Sequence, residues 1–172
     1  GTGSMNDPYM PVEREQEITR RALQVIASRK FPVHVITKSS LAERDYDVLQ
    51  DISQVYAAVS FTITTPHDSQ SKQIEPYASP SSERFKAMRF LADKGIYTGI
   101  TLMPVLPFIN DTKENLEILM KKAKDSGASY VFPMFCVTLR KGSRDYFYQA
   151  LDREFPGIKE KYQQAFGDSY EC

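Results

Sequence analysis

Four short apolar runs alternate with stretches of helical periodicity, and this alternation limits the possible folds more than any other feature of the chain. The runs are Val33-His34-Val35-Ile36-Thr37, Ala57 to Thr64, Tyr97 to Met103 and Tyr130 to Thr138. Their β-branched and aromatic side chains suit a pleated backbone, so each is predicted to be a strand. Between them, apolar residues recur every three or four positions, the spacing of one helix face. Glu13 to Arg29 predicts a helix with Ile18, Ala22, Val25 and Ile26 inward. Ser40-Leu41-Ala42-Glu43 has capping-box spacing and opens a helix with Leu41, Val48, Leu49 and Ile52 on one stripe. Ser79-Pro80 starts a third, which buries Phe85, Met88, Leu91 and Ala92 and stops at Gly95. Asp111-Thr112-Lys113-Glu114 opens a fourth, with Leu116, Leu119, Met120 and Ala123 inward and Gly127 as the stop. Ser143 to Phe155 follows with Phe147, Ala150 and Leu151 inward, and a short helix to Phe166 comes after Pro156-Gly157. A strand followed by a helix, four times over, predicts a parallel sheet, because each helix must carry the chain back across the sheet. The near-continuous apolar strands predict burial on both faces. The expected fold class is α/β: a parallel four-stranded sheet with flanking helices, in one domain without internal repeats.

Composition narrows the functional classes. The chain has 172 residues, too few for a complete eight-fold barrel of about 250. Lys and Arg number 22 against 22 Asp and Glu, so net charge gives no support for nucleic acid or an anionic membrane as partner. No apolar run approaches the roughly 20 residues of a membrane span. Two cysteines cannot build a disulfide framework, which points to a reducing, cytoplasmic setting. Residues 1–5 (Gly-Thr-Gly-Ser-Met) are expected to be a tag remnant, leaving 6–172 as the domain, and the abrupt end at Cys172 suggests a piece of a longer protein.

In parallel α/β folds, function gathers where strands end and helices begin. The first strand ends in Thr37-Lys38-Ser39, and Lys38 can place its ammonium over the sheet mouth to meet a carboxylate or phosphate, or simply snorkel beside a cap. Ser60, Thr62 and Thr64 sit at period two and share one face. Buried hydroxyls need partners, so they fit a wet or ligand-lined interior as well as they fit plain strand propensity. The third strand ends in Met103-Pro104-Val105-Leu106-Pro107, an extended path that can line a flat ligand or only shape a loop. The polar stretch from Pro66 to Ser79 is long for a strand-to-helix loop. Cys136 reads as a small core residue, and His34 and His67 read as structural or solvated. There is no Walker loop, no G-x-G-x-x-G after a strand and no metal-ligand spacing between Cys136 and Cys172. No catalytic residue and no metal ligand are assigned.

An ordered series of motifs adds a resemblance. Asn6-Asp7-Pro8-Tyr9-Met10-Pro11-Val12-Glu13 is followed by Thr19-Arg20-Arg21, then by Phe31-Pro32-Val33-His34-Val35-Ile36-Thr37-Lys38-Ser39. Val59-Ser60-Phe61-Thr62-Ile63-Thr64, Ile74-Glu75-Pro76, Pro80 to Arg84, Gly95-Ile96, Met103 to Pro107 and Asn110-Asp111 complete it. This series resembles the spore photoproduct lyase-like group of radical S-adenosylmethionine (radical SAM) proteins over nearly the whole chain. The resemblance implies a fragment of a partial, TIM-like (β/α)6 barrel, of which this chain supplies the last four strand–helix units. It implies a parent enzyme, lyase-like and of unread substrate, that uses S-adenosylmethionine and a [4Fe-4S] cluster held by a C-x-x-x-C-x-x-C loop after the first barrel strand. That cluster loop is absent here, so the segment alone is expected to be inactive and to hold neither cofactor. By motif position the resemblance implies that Lys38 and Ser60 contact the methionyl portion of the cofactor, with Thr62 on the same face. It puts Met103 near the adenine, and Asp7, Tyr9 and Glu13 near the missing loop. Asn6 and Met10 depart from the family's usual Thr and Gln. The implied partner is the missing N-terminal part of the same protein. Cutting away early strands would leave Val33 to Thr37 as an exposed edge, open to self-association or to cover by the N-terminal segment. Two other readings remain: a non-catalytic α/β binding or scaffold domain, and an unrelated barrel aldolase or isomerase, for whose acid–base set only Lys38 fits.

Overall fold

The computed structural model describes residues 1–3, 6–135, 137–167 and 169–172. Cys136 and the end of the expected tag lie outside the described residues. Four strands, β1 (Val33–Thr37), β2 (Ala57–Thr62), β3 (Tyr97–Leu102) and β4 (Tyr130–Pro133), pair side by side in sequence order, all parallel. The helices are α1 (Glu13–Gln16), α2 (Ile18–Ser28), α3 (Tyr46–Ile52), α4 (Asp68–Ile74), α5 (Ser81–Asp93), α6 (Lys113–Asp125), α7 (Ser143–Glu154) and α8 (Ile158–Phe166). The α/β class and the parallel four-stranded sheet are as the alternation requires. Among the described residues, no helix is long and apolar enough to cross a membrane.

The register fixes the two faces of the sheet. Val33, Val35, Val59, Phe61, Ile100 and Leu102 point into the main core with Leu23, Leu49, Met88, Leu91 and Leu119 from the helices. Each such fully buried aliphatic contributes about 1.5–3 kcal/mol. Alternation turns His34, Ile36, Ser60, Thr62, Gly99, Thr101 and Tyr130 to the opposite face. That face is more polar and aromatic, yet Ser60, Thr62 and Thr101 on it are buried, so the central strands β2 and β3 are covered on both sides as expected. A smaller cluster of Leu106, Ile109, Leu139, Tyr148, Leu151, Tyr162 and Cys172 joins α7 and α8 to the loop after β3.

Several boundaries differ from the sequence reading, each for a local reason. The helix predicted over Glu13 to Arg29 is two helices, because Glu17 adopts a left-handed conformation (φ 48°) between them. Its buried residue is Leu23, backed by Ile26 and Ala27, whereas Ile18 and Val25 are 56% and 62% exposed. The cap near Ser40 falls one residue earlier: Ser39 Oγ accepts from Leu41 N, and a 3-10 turn over Ser40–Asp45 precedes α3. The long loop after β2 holds a two-turn helix, α4. Met120, expected inward, is exposed on α6. β4 stops at Pro133 rather than Thr138, and Thr138 forms an antiparallel bridge with Glu171 instead. At the other edge, Thr2 pairs in parallel with Val35: Thr2 N donates to His34 O (2.9 Å) and Ile36 N donates to Thr2 O (3.0 Å).

Candidate functional site

A pocket of about 600 Å3 opens at the carboxyl end of β1. Asp7, Tyr9 and Met10 line it together with Lys38 and Ser39 at the end of β1 and the segment from Ile74 to Ser79. Each wall is held in place by buried polar groups. Asp7 ties the N-terminal segment to the strand: Oδ1 accepts from Tyr9 N (2.9 Å) and Thr37 Oγ1 (2.6 Å), and Oδ2 accepts from Lys38 N (2.6 Å). The far wall is clamped by Arg84, which is completely buried on α5. Its Nε donates to Ser79 O (2.5 Å), and its Nη1 donates to Thr62 O (2.6 Å) and Glu75 Oε2 (2.7 Å). The other Glu75 oxygen, Oε1, lies 3.2 Å from Lys38 Nζ. That contact is ionic and poorly aligned, and Oε1 has no hydrogen bond. Lys38 therefore stands half-exposed at the pocket mouth, braced from below by a buried carboxylate.

Tyr9, which lines the pocket, and Glu13, both expected near a cofactor, belong to one ion network. Tyr9 is buried and its hydroxyl donates to Asp45 Oδ2 (3.0 Å). Burial and the Asp45 charge push that phenol well above its ordinary range. Glu13 Oε1 accepts from Thr19 N and Arg44 Nη2, each at 3.0 Å. Burial opposes ionisation of Glu13, but those donors prevail and hold it below the usual carboxylate range. Arg20 and Arg44 both contact Asp45, at 3.1 and 2.8 Å. The network fixes where the chain leaves the pocket; its carboxylates are spent on protein donors.

Ser60, Thr62 and Met103 lie away from the lining residues of that pocket. Ser60 is fully buried on the polar sheet face, with its Oγ 2.6 Å from His34 Nε2 and 2.5 Å from Tyr130 OH. Tyr130 reaches Ser60 by crossing Gly99, where any Cβ would overlap its ring. Thr62 Oγ1 pairs with Thr101 Oγ1 (2.7 Å), while Thr64 Oγ1 is buried without a hydrogen bond. Met103 is half-buried just after β3. Of the residues singled out from sequence, the structure thus brings Lys38 and Tyr9 together and places Ser60 and Thr62 on the adjoining face. Sequence reasoning read His34 as structural or solvated, and gave no role to Tyr130 or to the Glu75–Arg84 pair. A nine-residue separation across a loop gives no periodic signal for that pair; only the arginine inside the buried stripe of α5 hints at it.

Two measurements probe this face. Gly99→Ala is expected to destabilise the fold by about 1–3 kcal/mol, because Tyr130 must leave Ser60 or the strands must separate. Urea unfolding with and without Tyr130→Phe reads it, and a change under about 0.5 kcal/mol would show that the ring moves freely. Burial holds the His34 pKa below its ordinary value. The unfolded chain then takes up a proton near pH 6.5 that the folded chain refuses, so stability is full above that pH and falls below it. The urea midpoint of the protein is expected to drop between pH 7.5 and 5.5, and His34→Gln should flatten the drop.

No protein-family model matches the chain, and no solved structure matches it. An uncharacterized protein of Methanocaldococcus jannaschii is 28% identical over 153 residues, covering 89% of this chain and 55% of that protein. An uncharacterized protein of Acidianus two-tailed virus is 33% identical over 135 residues, covering 75% and 43%. A protein of Pseudomonas phage M6 named as a radical SAM Nalpha-GlyT isomerase is 24% identical over 132 residues, covering 77% of this chain and 27% of its own length. The chain spans about half the length of the first two relatives. The likeness to a radical SAM enzyme is distant and partial.

Proposed function

We propose that this chain is the carboxyl-terminal portion of a radical SAM protein of the spore photoproduct lyase-like group, cytoplasmic, with its sheet continued by the missing N-terminal part into a partial barrel. The observation that carries the radical SAM part of this reading is the match to the phage isomerase, whose name gives that chemistry. Two features of the fold support it. Strand order follows chain order, so successive crossovers of one hand put the helices on one face and leave the other as a barrel interior. The outer edge of β1 is open to a parallel segment: Thr2, within the expected tag remnant, pairs with Val35 there.

The residues present fit one implied group and not the other. A lysine ammonium over a pocket, braced by a carboxylate that is itself neutralised by Arg84, suits the carboxylate of S-adenosylmethionine. When bound and reduced in such proteins, that cofactor supplies a radical for hydrogen abstraction. The chain's own contribution is to bind and orient: Lys38 meets the carboxylate, Asp7 holds the wall, and Ser60 and Thr62 face the interior. The cluster does not fit this chain. Two cysteines cannot provide three thiolates, and no group of three metal-binding side chains occurs among the described residues. The ligands must come from the rest of the protein.

Purifying the full-length protein without oxygen tests the reading. Roughly four iron and four sulfide per chain are expected. Full-length protein with neither, whose remaining sequence lacks a C-x-x-x-C-x-x-C loop, would favour the non-catalytic scaffold instead.

A further inference from the structure

We propose that Glu75 is the positioning residue for Lys38, and that the Arg84–Glu75–Lys38 relay sets the pocket to take a ligand through one singly charged carboxylate. This rests on the reading that Lys38 meets such a group. Three observations carry it. Arg84 is fully buried and fixed by two backbone carbonyls, so it cannot follow a ligand. Glu75, whose side chain is 8% exposed, is held by Arg84 at 2.7 Å and cannot swing out. Its Oε1 faces Lys38 Nζ at 3.2 Å and has no other partner, so it draws the ammonium toward one side of the mouth. A lysine with a free four-carbon stem loses about 2 kcal/mol of rotamer entropy when a ligand fixes it; a lysine braced beforehand loses less.

The charges give the preference for a monoanion. The pocket carries two carboxylates, Asp7 and Glu75, against three cations, Arg14, Lys38 and the Arg84 behind Glu75, which leaves one positive charge. Asp7 already accepts from three protein donors, so its charge is engaged by the protein's own groups and not by the ammonium. A single carboxylate, such as that of S-adenosylmethionine, meets that excess charge. A phosphate dianion would leave a negative charge beside Glu75 without a partner.

The test is a double-mutant cycle on the full-length, cluster-bearing protein, read as equilibrium binding of S-adenosylmethionine without reductant. Glu75→Gln is expected to weaken binding about tenfold in the otherwise unchanged protein and to have no further effect once Lys38 is Met. Glu75→Asp keeps the charge on Arg84 but shortens the reach to Lys38, so it should give the same loss; it stands in if Glu75→Gln fails to fold. An equal loss in both backgrounds would make Glu75 merely structural, and no loss or a gain would also overturn the proposal. If Lys38→Met alone changes nothing, the reading of the pocket fails first. The methyl ester of S-adenosylmethionine should bind Lys38→Met and unaltered protein equally; a preference for the unaltered protein would overturn the monoanion assignment.

Discussion

Replacing Arg84 by Met is expected to cost about 3–5 kcal/mol of stability. The guanidinium is completely buried and donates to Ser79 O, Thr62 O, Glu75 Oε2 and Ser71 Oγ. Its removal leaves the Glu75 carboxylate buried with only the half-exposed Lys38 near it. It also strips a donor from the last carbonyl of β2 and from the loop that forms the pocket wall. Against a total stability of about 5–15 kcal/mol, that loss is between about a fifth of the total and all of it. Arg84→Lys keeps the charge but not the fork, and should lie between the two. Combining Arg84→Met with Glu75→Leu removes both charges and should recover much of the loss, as buried pairs replaced by apolar groups often do. Urea unfolding of the four proteins reads the series, and a loss below about 1 kcal/mol for Arg84→Met would mean the pair is not the keystone of that wall.

Replacing Lys38 by Met is expected to weaken S-adenosylmethionine binding at least about tenfold in the full-length protein, while stability changes by less than about 1 kcal/mol. The two effects separate because of where the ammonium sits. Its side chain is 44% exposed, so its pair with Glu75 is screened and adds little to folding. A ligand that closes the pocket removes that screening, and the same ammonium then faces a carboxylate in a drier site. Equilibrium dialysis together with a melt checks both halves. Unchanged affinity would remove Lys38 from the site.

How much of this was legible in the sequence follows from which interactions are local. The strands and their parallel order were readable, because Val, Ile and Thr runs separated by amphipathic segments have few other solutions. The stripe of α5 was readable for the same reason, since Phe85, Met88 and Leu91 repeat at helical spacing. The break at Glu17 was not, because a left-handed residue inside a polar stretch leaves no mark on periodicity. The inward face of α2 was misread because Ile18 and Val25 obey the same period as Leu23, and only the position of α3 decides which stripe is covered. In the site, Lys38 stood out by its place at a strand end. Glu75, Arg84, His34 and Tyr130 did not, because their partners are brought together by the sheet register and the chain's return through α4 and α5, not by spacing.

The most direct measurement is the release of 5′-deoxyadenosine by the full-length protein, reconstituted with iron and sulfide under anaerobic conditions and supplied with S-adenosylmethionine and a one-electron reductant. Product that depends on the reductant, and that falls sharply with Lys38→Met, is the expected result. A protein that binds its cluster fully yet yields no 5′-deoxyadenosine, or yields it equally with Lys38→Met, would contradict the assignment of this pocket.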